Sequence, residues 1–269
     1  MPDNQPPTDN TSLRRLGKHP VRRDSRTLKL VDYITPTLTP PTEAFYHRKV
    51  SGWPMFLNDS LGDCVPAAAG HMIQQWTTYG LGAEYTPTDS QILSAYESIG
   101  GYTPTDPATD QGCDMLTALN TWRQTGIAGH RIAAYVSLNP KSWDELRLAI
   151  YLFGNVYLGI QLPIAAQNQE KWEIIGDESS PDQVPGSWGG HCIPLIGYNP
   201  LLYMCVTWGA ELNMTTGYPT AYADEAYAVL THDWIRKQGT APSGFNLNQL
   251  TADMKSINGE GIWPEWKKL

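Results

Sequence analysis

The chain has 269 residues, enough for one large domain or two lobes sharing a cleft, and 41% hydrophobic against 17% charged residues supports a packed core. No apolar stretch is long enough to span a bilayer, and residues 1–15 lack the apolar run of a secretory signal, so the sequence offers no export route and no membrane partner. The net charge of -8 is unevenly spread: residues 1–30 carry seven Lys/Arg and three Asp, whereas residues 31–269 carry twelve Lys/Arg and twenty-four Asp/Glu.

Residues 1–43 form a basic, Pro-rich extended arm, read as disordered or loosely wrapped. Its charge suits an acidic partner surface. Few aromatics for base stacking and an acidic body that repels phosphate argue against nucleic acid. The favoured reading is an arm that lies back on its own acidic body. From Ala44 onward the pattern changes. Asp63 to Tyr79 reads as a helix, with Val65, Ala68, Ala69, Met72, Trp76 and Tyr79 on one face, Pro66 in the first turn and Gly80 and Gly82 as its stop. A second helix starts near Thr88, a Gly- and Pro-rich loop covers 100–112, and a third helix runs from Asp114 to Thr125.

In the second half, Trp143 to Phe153 reads as a helix and Val156 to Leu162 as a strand. Cys192–Tyr198 and Leu202–Trp208 read as a hairpin about Asn199-Pro200, and Tyr222–Leu230 as a further strand. A last helix begins at Asn246, a good N-cap. Helices first and strands later indicate an α+β class. Ten Trp and fourteen Tyr against four Phe give polar-tipped aromatics that suit lobes around a wet cleft.

Cys64 follows Gly62, which allows a sharp turn, and Asp63, which can cap the helix. A thiol in the first helical turn meets free N–H groups that favour the thiolate, the form that attacks carbonyls. Taken alone, Cys64 reads equally as a small buried residue. His191 opens an apolar strand after Gly189-Gly190, and the glycines clear space around its ring. Paired with Cys64 it would take up and return a proton. Trp208 ends the next strand, where its indole could shield that base from water or simply fill the core. His71, two turns along the helix from Cys64, reads as a satisfied core histidine. Asp224-Glu225, inside an apolar strand, reads as a solvent-side pair rather than as an anchor for the arm's arginines. Four cysteines without a CxxC pair argue against a disulfide framework and a structural zinc. No metal or organic cofactor is called for.

The order of these pieces resembles the papain-like cysteine peptidases, over about residues 44–235. The resemblance lies in the Cys64 helix start, Gln111-Gly112-Cys113-Asp114 before a helix, Gly190-His191 on a strand, and Trp208-Gly209 ending the next. It is nearest to a bacterial and phage branch with Asn58-Asp59-x-x-Gly62-Asp63-Cys64. It implies a two-lobe fold, with a helical lobe of about 44–135, a β-rich lobe of about 136–235, a C-terminal helix and tail of 236–269, and an interlobe cleft. It implies that Cys64 is the nucleophile, His191 the catalytic histidine, and Asn58 the oxyanion-hole residue. Asp63, Gly112, Cys113, Gly190 and Trp208 would line the substrate cleft. Three departures stand against it. The family's His-orienting Asn falls at Val206, so the expectation is a Cys–His dyad, with Thr207 or a backbone carbonyl orienting His191 only if the strand is shifted by one residue. Substrate-binding glycines fall near Met115 and Leu116, and the disulfide partner of Cys113 falls at Leu61.

The resulting expectation is a cysteine hydrolase of protein or peptide substrates (peptidase, isopeptidase or amidase) working through a thioester, in the cytoplasm or a phage virion. The alternatives are a catalytically weak or inactive papain-like binding or structural module, such as a phage virion component, and a cell-wall amidase.

Overall fold

Helix α1, Cys64–Trp76, is buried along its whole length, not on one face as its pattern predicts. It runs between two hydrophobic cores. The structure is a computed structural model that describes residues 14–176, 179–235 and 244–258. The first thirteen residues of the predicted arm, and residues 236–243 and 259–269 of the predicted tail, lie outside the described residues. The α-helical part ends at Trp76, earlier than expected. Thr77–Leu81 widen into a π turn, and Gly82 closes it with φ of 73°. Two more helices complete this side. Helix α2, Asp89–Gly100, starts with a capping box between Thr88 and Gln91. Helix α3, Met115–Gln124, starts at Asp114, whose carboxylate accepts from the Thr117 N–H. Val65, Met72, Trp76, Ile92, Tyr96, Leu119 and Trp122 form the helical core.

The other core is built on one sheet. Its strands are β1 Ala44–Phe45, β2 Ile132–Leu138, β3 Val156–Leu162, β4 Lys171–Trp172, β5 Gly189–Tyr198, β6 Leu202–Thr207, β7 Ala210–Thr215 and β8 Ala223–Thr231. The order is β2-β8-β3-β5-β6-β7-β4, with β1 also paired to β5. Helix α4, Trp143–Phe153, is capped by Ser142 and packs on the sheet. Short helices α5, Tyr218–Tyr222, and α6, His232–Ile235, flank β8. The last helix, α7, Leu247–Asn258, starts as predicted from Asn246, whose side chain accepts from the Gln249 N–H at 2.9 Å. The expected helices and the β5–β6 hairpin are present. Strands β2, β4 and β7 are additions that the sequence pattern did not reveal.

One irregularity sets up the site. Leu195 pairs with Cys205, but Gly197 pairs with Met204, so Ile196 is an extra residue in β5. The hairpin register therefore differs by one residue on either side of it. The expected disulfide-free state holds: all four cysteines are free. Cys192 pairs with Gly159, and Cys205 with Leu195 and Leu212, so the two sulfur-bearing positions are not opposite each other.

Buried hydrogen bonds join the two cores. Trp76 Nε1 donates to the Phe153 carbonyl at 2.8 Å, and Gln75 Nε2 to the Gly154 carbonyl at 2.9 Å. Trp76→Phe should leave the Phe153 acceptor unpaired and cost about 1–3 kcal/mol, seen as a lower denaturation midpoint at unchanged m-value.

Candidate active site

Cys64 opens α1 at the junction of the two cores, 1% exposed. Asp63 holds the N-cap position, yet it makes no side-chain cap bond, contrary to the role its type suggests. It is fully buried, and burial holds its carboxyl well above the usual range. The Asp63 carboxyl acts against a thiolate at the next residue. Burial also pushes the Cys64 thiol up to about 12, although backbone hydrogen bonds from Cys192 and Gly17 to the sulfur act in the opposite direction. In this state Cys64 is a neutral thiol.

His191 lies on β5, 1% exposed, with its Nε2 2.8 Å from Thr207 Oγ1 at the end of β6. This contact follows from the extra residue. Cross-strand partners share a face, and every second residue along a strand returns to it. Leu195 pairs with Cys205, so His191, Ile193 and Leu195 share a face with Cys205 and Thr207. If the Gly197–Met204 register continued without the extra residue, Val206 and Trp208 would lie on that face instead, Trp208 in the place of Thr207, and Thr207 would turn away. Thr207 is thus the residue beside the imidazole. Burial drives the His191 pKa down to about 3, so the ring is neutral in this state. His191 Nδ1 has no hydrogen-bond partner, and in the tautomer whose Nε2–H donates to Thr207 it is the basic nitrogen.

Asn58, Cys64, His191, Thr207 and Trp208 line one narrow crevice together with His71, Cys192 and Val206. Asn58 gives one amide proton to the Leu61 carbonyl at 3.1 Å; its Nδ2 carries a second. The loop before it holds two non-glycine residues in the left-handed region, Phe56 and Leu57, and Trp208 is a third. The Trp208 ring stacks on His191 at 4.5 Å and 12°. His71 is buried as expected but only half satisfied: its Nε2 bonds the Pro54 carbonyl at 2.8 Å, its Nδ1 has no hydrogen-bond partner, and burial lowers it to about 4.

The cleft is occupied. Residues 14–19 of the arm run between its walls without regular secondary structure, apart from the bridge of Lys18 to Cys113. The Arg15 N–H donates to the Asn58 carbonyl at 3.0 Å, and Trp208 Nε1 to the Arg15 carbonyl at 3.1 Å. Lys18 N–H donates to the Gly190 carbonyl, while Cys113 N–H donates to Gly17 O and accepts His19 N–H through its own carbonyl. Gly17 passes so close that a Cβ there would stand 1.8 Å from the Gly62 carbonyl oxygen. A Cβ on Gly190 would stand 2.3 Å from Lys18 O, and one on Gly112 2.0 Å from Gly17 O. The glycines beside His191 therefore make room for a chain rather than for the ring alone.

Lys18 is the buried anchor of this segment. Its ammonium lies 3.0 Å from Asp224 Oδ2, 3.0 Å from Glu225 Oε1 and 2.9 Å from the His19 carbonyl. Burial opposes its charge, but the two carboxylates outweigh it and its pKa is raised. The solvent-side reading of Asp224-Glu225 is thereby overturned. Glu225 is 6% exposed and binds the arm through a lysine, because β8 is an inner strand with both faces covered. The arm does lie on its own acidic body. Sequence reasoning missed Lys18 and Gln161, whose Nε2 donates to Asp224 Oδ2 at 2.6 Å. The one available signal was two consecutive acids within an apolar run.

No protein-family model and no curated protein sequence matches the chain. Solved structures match in fold. Xylellain, a cysteine protease from Xylella fastidiosa, superposes with a TM-score of 0.62 at 13% identity, over 81% of this chain and 97% of the other. Procathepsin B S9 from Trypanosoma congolense gives 0.55 at 12%, over 84% and 89%. The bromelain protease of Ananas comosus gives 0.52 at 11%, over 71% and 100%. The fold is the two-lobe α+β fold of papain-like cysteine peptidases.

If the hydroxyl orients the ring, Thr207→Val should lower kcat about 10- to 100-fold with little change in KM, and Thr207→Ser should retain most of the rate. Both variants should keep the wild-type circular dichroism spectrum.

Proposed function

We propose that this chain is a cysteine-nucleophile hydrolase of peptide, isopeptide or amide bonds, held latent by its own N-terminal arm. The observation that supports it most is the geometry around His191. Thr207 binds Nε2 and leaves Nδ1 unpaired, in the crevice that also holds the thiol of the first α1 residue. His191 Nδ1 takes the Cys64 proton, and the thiolate attacks the carbonyl carbon. Asn58 Nδ2 and the Cys64 N–H face the oxyanion that forms. Collapse of the tetrahedral species expels the amine, which receives its proton from His191 and leaves a thioester on Cys64. Water, deprotonated by His191, then releases the acid.

The arm blocks this without offering a bond to cut. Gly17 bonds the sulfur through its backbone, while its carbonyl is turned to the Cys113 N–H. In this reading residues 1–43 are the regulatory segment and 44–269 the catalytic body. Four free cysteines suit a reducing compartment such as the cytoplasm, and no helix among the described residues is long and apolar enough to cross a membrane.

The filled cleft and neutral thiol also fit a second reading, a binding or structural module that keeps the fold without turnover. Alkylation kinetics separate the two. With the thiol near 12, only about 10⁻⁵ of it is ionised at pH 7. In the full chain, iodoacetamide should therefore modify Cys64 slowly, with a rate that rises steadily with pH up to 9. Gly17→Val puts side-chain atoms where the Gly62 backbone stands and expels the arm. Its Cys64 should react about 10²-fold faster at pH 7, with a plateau from pH 5 to 8 that His191→Ala removes. A Gly17→Val thiol that behaves as an ordinary cysteine, indifferent to His191, supports the structural module.

A further inference from the structure

The acidic pair that anchors Lys18 sits in the cleft wall, one arm residue from the thiol. Its carboxylates do not depend on Lys18 for their placement. Gln161 Nε2 donates to Asp224 Oδ2 at 2.6 Å, and Tyr227 OH to Glu225 Oε2 at 2.9 Å. Both donors come from the sheet, so the pair is held from beneath, while Lys18 reaches Asp224 Oδ2 and Glu225 Oε1 from the arm. Asp224 Oδ1 carries no hydrogen bond. The floor between them is Gly159, where a Cβ would stand 2.3 Å from Lys18 Cε. A side chain at 159 would fill the channel down which the lysine stem runs.

The walls on either side bind backbone, not sequence. The Gly190 carbonyl and both backbone groups of Cys113 pair with whichever extended chain lies between them. When the arm leaves, those groups and two carboxylates become a ready track with one charged pocket. A leucine or phenylalanine placed there would leave two carboxylates desolvated and unpaired, whereas an ammonium restores the pairing.

We propose that Asp224, Glu225, Gln161, Tyr227 and Gly159 form a specificity pocket for a basic side chain, placed within two residues of the scissile carbonyl, and that Lys18 occupies it as an internal mimic of substrate. The pocket rests on the cleft being a substrate cleft, as proposed above. It makes the preferred substrates lysine- or arginine-containing peptides. It also makes release of the arm a competition between Lys18 and an external basic residue.

The test uses the full chain carrying Gly17→Val, which frees the cleft and leaves every pocket residue in place. Lys18→Met serves as an independent arm-releasing variant should Gly17→Val fail to fold. Two dipeptidyl chloromethyl ketones are compared, identical except for lysine or its uncharged isostere norleucine next to the electrophilic residue. The pocket predicts that the lysine probe labels Cys64 at least about tenfold faster, and that adding Asp224→Asn with Glu225→Gln removes the preference. Equal rates for the two probes overturn the pocket and leave the cysteine chemistry standing. Should neither probe label Cys64, the nucleophile reading fails, and the pocket is decided by calorimetry on the Cys64→Ser form. There, the tetrapeptide acetyl-Leu-Gly-Lys-His must bind tighter than its norleucine counterpart; equal binding overturns the proposal.

Discussion

One extra residue in β5 decides which side chain of β6 faces His191. The register on the far side of Ile196 would put Val206 and Trp208 on the face of the imidazole and turn the Thr207 hydroxyl away. The register on the near side brings Thr207, whose hydroxyl meets Nε2 at 2.8 Å. A ring free to rotate presents either nitrogen to the thiol. A ring held at Nε2 presents Nδ1 alone. The hydroxyl can give or accept a proton at Nε2 and so fixes the orientation of the ring, and Trp208 stacked at 4.5 Å holds its plane. A neutral hydroxyl does this with less stabilisation of an imidazolium than a charged partner would provide.

The closed state is dry, and its electrostatics follow from that. Desolvation keeps the Cys64 thiol and the His191 imidazole neutral, so the two form no ion pair while the arm lies in place. The arm is held by backbone bonds along both walls and by a lysine whose ammonium finds three partners. A buried ion pair adds little net stability against a well-packed apolar contact, but breaking one side of it is costly. Such an anchor is strong while the cleft is closed and weak once water reaches the carboxylates. A segment fixed in that way suits a reversible latch better than a permanent part of the core.

Much of the fold was legible because its elements carry local signals. Thr88 and Gln91 mark the start of α2, Asp114 that of α3, Ser142 that of α4 and Asn246 that of α7. Cys64, His191, Asn58 and Trp208 fall in one crevice, as the order of motifs implied. The strands that went unread lack alternation: β2 is mostly buried, and β7 has one buried residue among six. Thr207 could be named but not chosen over Val206, because a bulge arises from pairing between strands and leaves no mark on either alone. The arm's path was hidden for the same reason. Gly17 looks like any loop glycine until Gly62 and Gly112 are seen pressed against it. Asp224 and Glu225 were conspicuous in the chain, yet their partner lies 206 residues away along it.

The central claim is that His191 takes the proton of Cys64 once the arm withdraws. Nitrogen-15 spectroscopy of the His191 ring in the Gly17→Val chain reads that transfer directly. The account predicts a doubly protonated imidazole at neutral pH that reverts to the neutral, Nε2-protonated form when Cys64→Ala removes the thiol. A ring whose protonation is the same with and without Cys64 would show that the two groups do not share a proton, and the catalytic pair would be refuted.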